Sequence, residues 1–347
     1  MNSGAGNKNY IIDLMRFIAA LWVALFHFNE PIIYINNSYR NFAKLGYLGV
    51  PIFFVISGYC ILMSALNSKS AFDFLLRRFF RIFPAYWLSL LVVIFAAFIQ
   101  KAAYGDNSVA HIPHNIFAGL CTVVLYTSPL SNIPTINWVY WSLSCEAAFY
   151  ILIYIGLTLS RKHLIYFFIV ISFTSLWINS PSGKIYFFLN HWSAFSLGLC
   201  IYYFHSSRIV VDKKLLLILL ILNITGLFTH FLVDHPLQIA VAIMSGALIY
   251  FSNANSLKKN FFSKLGDFSY AVYLIHVPIG VYVLGYFKNN LFQQNQLLNI
   301  IFDITVYCIV TLFAILIYKY VEQPFIRIGK SFVKKDITNQ FNVSEST

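Results

Sequence analysis

Few side chains in this 347-residue chain could do chemistry, and two of them share a helical register. Arg16 and His27 stand 11 residues apart in one apolar run. On an α-helix, 11 residues turn through about 1100°, about 20° past three full turns, and rise about 16 Å. The guanidinium and the imidazole therefore lie on one face. Asp13, three residues before Arg16, can pair with it or orient it. Taken singly, Arg16 could be a snorkelling cation and His27 an interfacial histidine. Together on one face, they favour a functional reading over either of these.

Glu146 lies in WVYWSLSCEAAFY, residues 138–150. Its expected depth matches that of His27, and a carboxylate sharing a cavity with an imidazole would fix its tautomer and stabilise the imidazolium. A structural carboxylate bonded to a Trp or Tyr of another helix is the plainer alternative. Arg77, Arg78 and Arg81 precede the third apolar run, in RRFFRIFPAYW. Spacings of three and four put Arg77 or Arg78 on one face with Arg81, which suits phosphates but equally suits an anchor on anionic lipid. His276 sits in mid-run, and Asp303 and Glu322 lie near run edges. Ser57 and Gly58 in FFVISGY permit close helix approach, and spacing alone gives them no chemistry. His111 and His114 form an HxxH without a third ligand, so no metal is expected.

The elements that position these groups follow from composition. Hydrophobic residues make up 59% of the chain and charged ones 10%, against about 25% charged in soluble domains. A soluble or disordered chain is excluded. The net charge of +12 comes from basic residues placed between apolar runs, which points to membrane topology rather than nucleic acid. Ten stretches approach spanning length: 10–28, 47–66, 83–99, 138–159, 163–178, 187–204, 214–232, 237–252, 269–287 and 299–320. A further run, 116–128, is short enough for an interfacial or re-entrant piece. The expected architecture is all-α and polytopic, about ten transmembrane helices, with both termini cytoplasmic. With that orientation, inner segments hold 18 Lys and Arg; outer segments hold five, Arg40, Lys44, Lys101, Lys184 and Lys288. The first run is read as a retained span. Residues 1–330 are expected to form one membrane domain and 331–347 a polar, disordered tail. The five cysteines are expected as buried small apolar residues.

Six blocks in order resemble the acyltransferase-3 family of integral membrane proteins: DLMRFIAALWVALFH (13–27), GVPIFFVISGY (49–59), RRFFRIFPAYW (77–87), WSLSCEAAFY (141–150), LGDFSYAVYLIH (265–276) and YVEQPF (320–325). The Arg, ten residues, then His of the first block is the family hallmark. The blocks add Trp141, Ser142 and Tyr270 to the candidates and include His276 and Glu322. One departure is Phe17, where the family usually has Gly after the Arg. The resemblance implies transfer of an acyl group, most often acetyl, from cytoplasmic acyl-CoA to a carbohydrate hydroxyl across the membrane. It is to the stand-alone form, and most closely to O-antigen or exopolysaccharide O-acetylases of a bacterial inner membrane.

Geometry and resemblance together give an expected mechanism. Arg77, Arg78 and Arg81 hold the phosphates of acetyl-CoA, Arg16 contacts the pyrophosphate or pantetheine, and His27, oriented by Glu146, deprotonates the sugar hydroxyl. The outer loop 100–137 helps select the acceptor. Expected partners are membrane lipid, acyl-CoA and a carbohydrate or lipid-linked glycan, with self-association into a homo-oligomer also considered. A flippase for a lipid-linked glycan is the rival reading, and a membrane sensor or scaffold a third.

Overall fold

The computed structural model describes residues 9–32, 36–105, 110–206, 211–252 and 260–332. Lys8, Arg208, Lys258, Lys259, Lys334 and Lys335, all counted above, lie outside the described residues, as does the expected tail from 333 onward. Among the described residues there is no β-strand.

Asn9 starts α1 (Tyr10–Asn29) by accepting the Ile11 N–H at 3.1 Å. Helix α2 (Ser38–Lys44) passes through a 3-10 turn into α3 (Gly49–Leu66). Helix α4 (Ala71–Tyr104) begins on a Ser70 cap: the hydroxyl accepts the Asp73 N–H at 3.0 Å, and Asp73 accepts the Lys69 N–H at 2.9 Å. This helix has 34 residues and contains Pro84. The sequence reading placed the arginine cluster ahead of a span at 83–99; instead the helix runs through Pro84 and carries the arginines within it. Proline is tolerated there because surrounding helices support the backbone.

The short α5 (Ile116–Val123) cannot span, as expected for that run. Helices α6 (Trp141–Ser160), α7 (Leu164–Ser175), α8 (Trp192–His205), α9 (Lys213–Phe231) and α10 (Pro236–Phe251) follow. Then come α11 (Phe261–Leu265), α12 (Ser269–Ile275) with a π-helical continuation His276–Val283, α13 (Asn290–Gln294), and α14 (Gln296–Ile317) with a π-helical turn Tyr318–Glu322.

Each of the ten apolar stretches falls on helix, and seven helical segments among the described residues have the length and hydropathy to cross a bilayer. Of the other three stretches, 163–178 and 237–252 form α7 and α10, of 12 and 16 residues, while 187–204 falls on a 3-10 helix, Ile185–His191, that leads into the 14-residue α8. At 1.5 Å per residue α7 and α10 reach about 18 and 24 Å, short of a hydrocarbon core of about 30 Å.

Helix α8 lies in the core, with Trp192 and Phe195 fully buried. It meets α3 backbone to backbone through reciprocal glycines. A Cβ on Gly58 would sit 1.9 Å from the Phe195 carbonyl oxygen, and one on Gly198 would sit 2.0 Å from that of Val55. Only glycine permits this approach, which sets the height and rotation of α3. Helix α3 in turn packs along α1 and α6, so the α3–α8 contact fixes one wall of the site.

Candidate active site

One face each of α1, α3, α4, α6 and α12 encloses a cavity of about 530 Å³. Helix α1 contributes Asn9, Ile12, Asp13 and Arg16, and α6 contributes Ser142, Glu146 and Tyr150; both sets follow helical spacing. Lining residues on α3 run from Val50 to Ser64, which is about 21 Å along the helix. The cavity is therefore elongated.

Its charge is concentrated near the N-terminal end of α1. Arg16 donates to Asp13 Oδ1 at 3.4 Å and to Cys60 Sγ at 3.2 Å. Glu146 and Asp267 lie close enough for their charges to act on it. Arg78 donates to the Cys60 carbonyl at 3.4 Å and lies over the Tyr150 ring at 5.7 Å. Its Nε has no hydrogen-bond partner among the described residues. Arg81 lines the same wall. Arg77 does not: it forms a two-bond pair with Asp73, at 2.5 and 3.0 Å, outside the cavity. The periodicity allowed either Arg77 or Arg78 beside Arg81, and the Asp73 cap settles it for Arg78. Cys60 likewise departs from expectation, since it is half-buried against two guanidinium groups; Cys308 is exposed, while Cys121, Cys145 and Cys200 are buried.

Glu146 is held within the cavity. Ser57 donates to its carboxylate at 2.5 Å and Tyr150 at 2.7 Å. The expected Glu146–His27 partnership is not what the fold presents. His27 Nδ1 lies 3.1 Å from the Glu30 carboxylate, while the indole N–H of Trp138 points at the same nitrogen from 3.4 Å. The shorter, charge-assisted contact assigns the proton to Nδ1 and leaves Nε2 as the basic atom. Glu30 was legible in principle, since it follows His27 by three residues as Arg16 follows Asp13. It was passed over because it stands beyond the apolar run.

His27 and His276 are not among the cavity-lining residues; they stand just past its end. Tyr273 forms that end, sharing a 2.7 Å hydrogen bond with Ser142 and donating to the Val139 carbonyl. His276 is one turn further along, its ring centroid 5.8 Å from that of Tyr273 and 5.3 Å from that of His27. Tyr270 also lines the cavity and donates to the Ile82 carbonyl at 3.1 Å. Trp141 is elsewhere, packed on His191 with centroids 5.1 Å apart. Glu322 is buried outside the lining, near enough to Arg81 and Tyr270 for its charge to act on both. Phe17 turns away toward Phe262 and Tyr307, so its bulk leaves the Arg16–His27 register intact.

Sequence reasoning missed a buried cluster at the C-terminal end of α1. Lys288 donates to Asp303 at 2.6 Å and to the Phe28 carbonyl at 3.0 Å. Asp303 also accepts from Asn29 and Tyr39, both at 2.7 Å. Arg40 donates to the Asn29 carbonyl at 3.1 Å. Arg40 and Lys288, read as outer-loop charges, are 1% and 7% exposed. They serve terminal carbonyls of α1, which no intrahelical donor reaches.

The family model described as "Acyltransferase domain" matches residues 9–319. Among curated relatives, "Acyltransferase MdmB" of Streptomyces mycarofaciens is 28% identical over 43% of this chain and 39% of its own length. The "Putative O-acetyltransferase SACOL0978" of Staphylococcus aureus (strain COL) is 26% identical over 92% of this chain and 57% of its own. The chain thus spans about half the length of these two. The "O-acetyl transferase" of Shigella phage Sf6 is 25% identical over 80% of this chain and 87% of its own. No solved structure matches. With the family model covering nearly the whole chain, and the motif residues Arg16, Ser57, Arg78, Ser142, Glu146 and Tyr270 lining one cavity, the chain belongs to the acyltransferase-3 family.

Proposed function

We propose that this protein is a membrane O-acyltransferase that moves an acetyl group from acetyl-CoA to a hydroxyl of a cell-surface carbohydrate, such as O-antigen or exopolysaccharide. The observation that carries the reading is the elongated cavity itself. It has three arginines, Arg16, Arg78 and Arg81, toward one end and approaches His27 at the other. A donor with anionic phosphates and a long, narrow thioester arm has that shape and that charge distribution. The names of the relatives support the O-acetyl class.

In this reading Arg78 and Arg81 hold phosphates, and Arg16 contacts the pyrophosphate or a pantetheine carbonyl. Glu146, fixed by Ser57 and Tyr150, offsets the arginines in the donor cavity. Glu30 takes the role expected of Glu146 and orients His27. The basic Nε2 of His27 removes the hydroxyl proton as the oxygen attacks the thioester carbonyl. The topology that serves this chemistry has ten membrane segments and both termini in the cytoplasm of a bacterial inner membrane. The donor then enters from the basic side.

The test is expression of the chain and of His27→Ala in a bacterium whose surface glycan lacks O-acetylation, with NMR of ester-linked acetyl on that glycan. Acetyl with the unaltered chain and none with the variant, at equal membrane levels, is expected. Equal acetyl in both would remove His27 from the mechanism. Consumption of radiolabelled acetyl-CoA in the same membranes tests the class independently.

A further inference from the structure

His276 is a buried titratable group without an assigned role. It is 1% exposed. Its Nδ1 lies 2.8 Å from the Tyr273 carbonyl and 3.3 Å from that of Val272. Carbonyl oxygens only accept, so Nδ1 carries the proton and Nε2 keeps a lone pair. That Nε2 is buried and has no hydrogen-bond partner among the described residues. A buried acceptor left without a donor is costly, and native proteins seldom retain one without a use.

The group beside this orphan supplies the use. The His27 ring is 5.3 Å away, centroid to centroid. With Nδ1 of His27 committed to Glu30, its Nε2 also carries only a lone pair. Two lone pairs cannot bond each other. One added proton on His27 changes that, because Nε2 then becomes an N–H donor on a ring whose centroid is 5.3 Å from that of the acceptor's ring.

We infer that His276 is the proton-sharing partner of His27, accepting through Nε2 a hydrogen bond that exists only after His27 has taken the proton of the attacking hydroxyl. The inference rests on the proposed role of His27 and goes beyond it. The hydroxyl oxygen forms a bond to the thioester carbonyl carbon as its proton passes to His27 Nε2. The C–S bond then breaks, and the CoA sulfur leaves with that proton, giving the O-acyl ester, free CoA and neutral His27. During the interval the imidazolium has Glu30 on Nδ1, while its single Nε2–H is shared between His276 and the reacting atoms, so that it can still pass to the sulfur. The second contact is absent from the resting state, so its full strength lowers the barrier. The fixed tautomer of His276 keeps its Nε2 lone pair available as an acceptor when the proton arrives.

The experiment uses the full chain in membranes, with acetyl-CoA as donor and water as acceptor, and reads the release of CoA thiol. His276→Ala should lower kcat about 10- to 100-fold, the worth of a hydrogen bond to a charged group. KM for acetyl-CoA should stay within twofold. His276→Gln, which carries an amide oxygen to roughly the height of the lost Nε2, should restore most of the rate. Combined with His27→Ala, His276→Ala should lower the residual rate no further. A full rate in His276→Ala overturns the inference, as does a loss confined to KM or an additive loss in the double variant. If His276→Ala fails to reach the membrane, His276→Gln decides: a rate as low as that of His27→Ala overturns it. A normal rate in His27→Ala, or no CoA release by the unaltered chain, sinks the underlying reading instead.

Discussion

Charge is buried at both ends of α1, in two different ways. At the C-terminal end, Lys288, Asp303, Asn29 and Tyr39 close on one another, and Lys288 and Arg40 serve carbonyls of the helix. Asp303 is fully buried, with both carboxylate oxygens bonded. Toward the N-terminal end, Arg16, Arg78 and Arg81 face a cavity with Glu146. Placing ionic groups in an apolar setting is costly in either case. The closed cluster recovers that cost internally and anchors the helix turn that carries His27 and Glu30. The open cluster turns its donors toward a cavity, a setting that suits a ligand. The same residue types therefore signal structure or function according to whether their partners are all protein.

This contrast can be broken by substitution, and the largest effect belongs to the closed cluster. Asp303→Ala leaves Lys288 buried without its counter-charge, and removing one partner of such a pair costs about 3–5 kcal/mol. The expected outcome is a large fall in Tm and in folded protein recovered from membranes. Asp303→Leu with Lys288→Met should regain most of that loss; an unchanged Tm in the single variant would deny the cluster its anchoring role.

Arg78→Ala should do the reverse. In the proposed donor site, a charge-assisted contact to phosphate is worth about 1.5–3 kcal/mol, so its loss should raise KM for acetyl-CoA about 10- to 100-fold with little change in Tm. Unchanged KM would make Arg78 a structural cation. Ser57→Ala removes one of two donors to Glu146 and should cost about 1 kcal/mol, seen as a several-fold loss of acetyl transfer. Arg77→Ala gives the smallest effect. Its pair with Asp73 is partly exposed, so stability should fall by under about 1 kcal/mol, with KM for acetyl-CoA within twofold of the unaltered chain. A large KM change there would return Arg77 to the donor site.

Much of the site was legible from residue type and spacing. Arg16, Asp13, Arg78, Arg81, Ser142, Glu146 and Tyr270 were all singled out, and all line one cavity. The errors share a cause. Glu146 was matched to His27 by counting depth along two helices separately, although the partners of Glu146 are Ser57 on α3 and Tyr150 on its own helix. Arg40 and Lys288 were read as loop charges because they flank apolar runs, while the fold tucks both against the end of α1.

The sequence by itself determined what local backbone bonding controls. The apolar runs become helices, α1 is unbroken from Tyr10 to Asn29, and 11 residues of it carry Arg16 and His27 on one face. Helical periodicity is fixed by bonds between residues four apart, so it can be read without knowing any neighbour. The tertiary structure alone decided that Glu146 meets Ser57 rather than His27, that Arg78 reaches the Cys60 carbonyl, and that the His276 ring stands 5.3 Å from that of His27. Those pairings depend on the rotation and height of one helix against another. Contacts such as Gly58 on the Phe195 backbone set them, between residues more than a hundred positions apart.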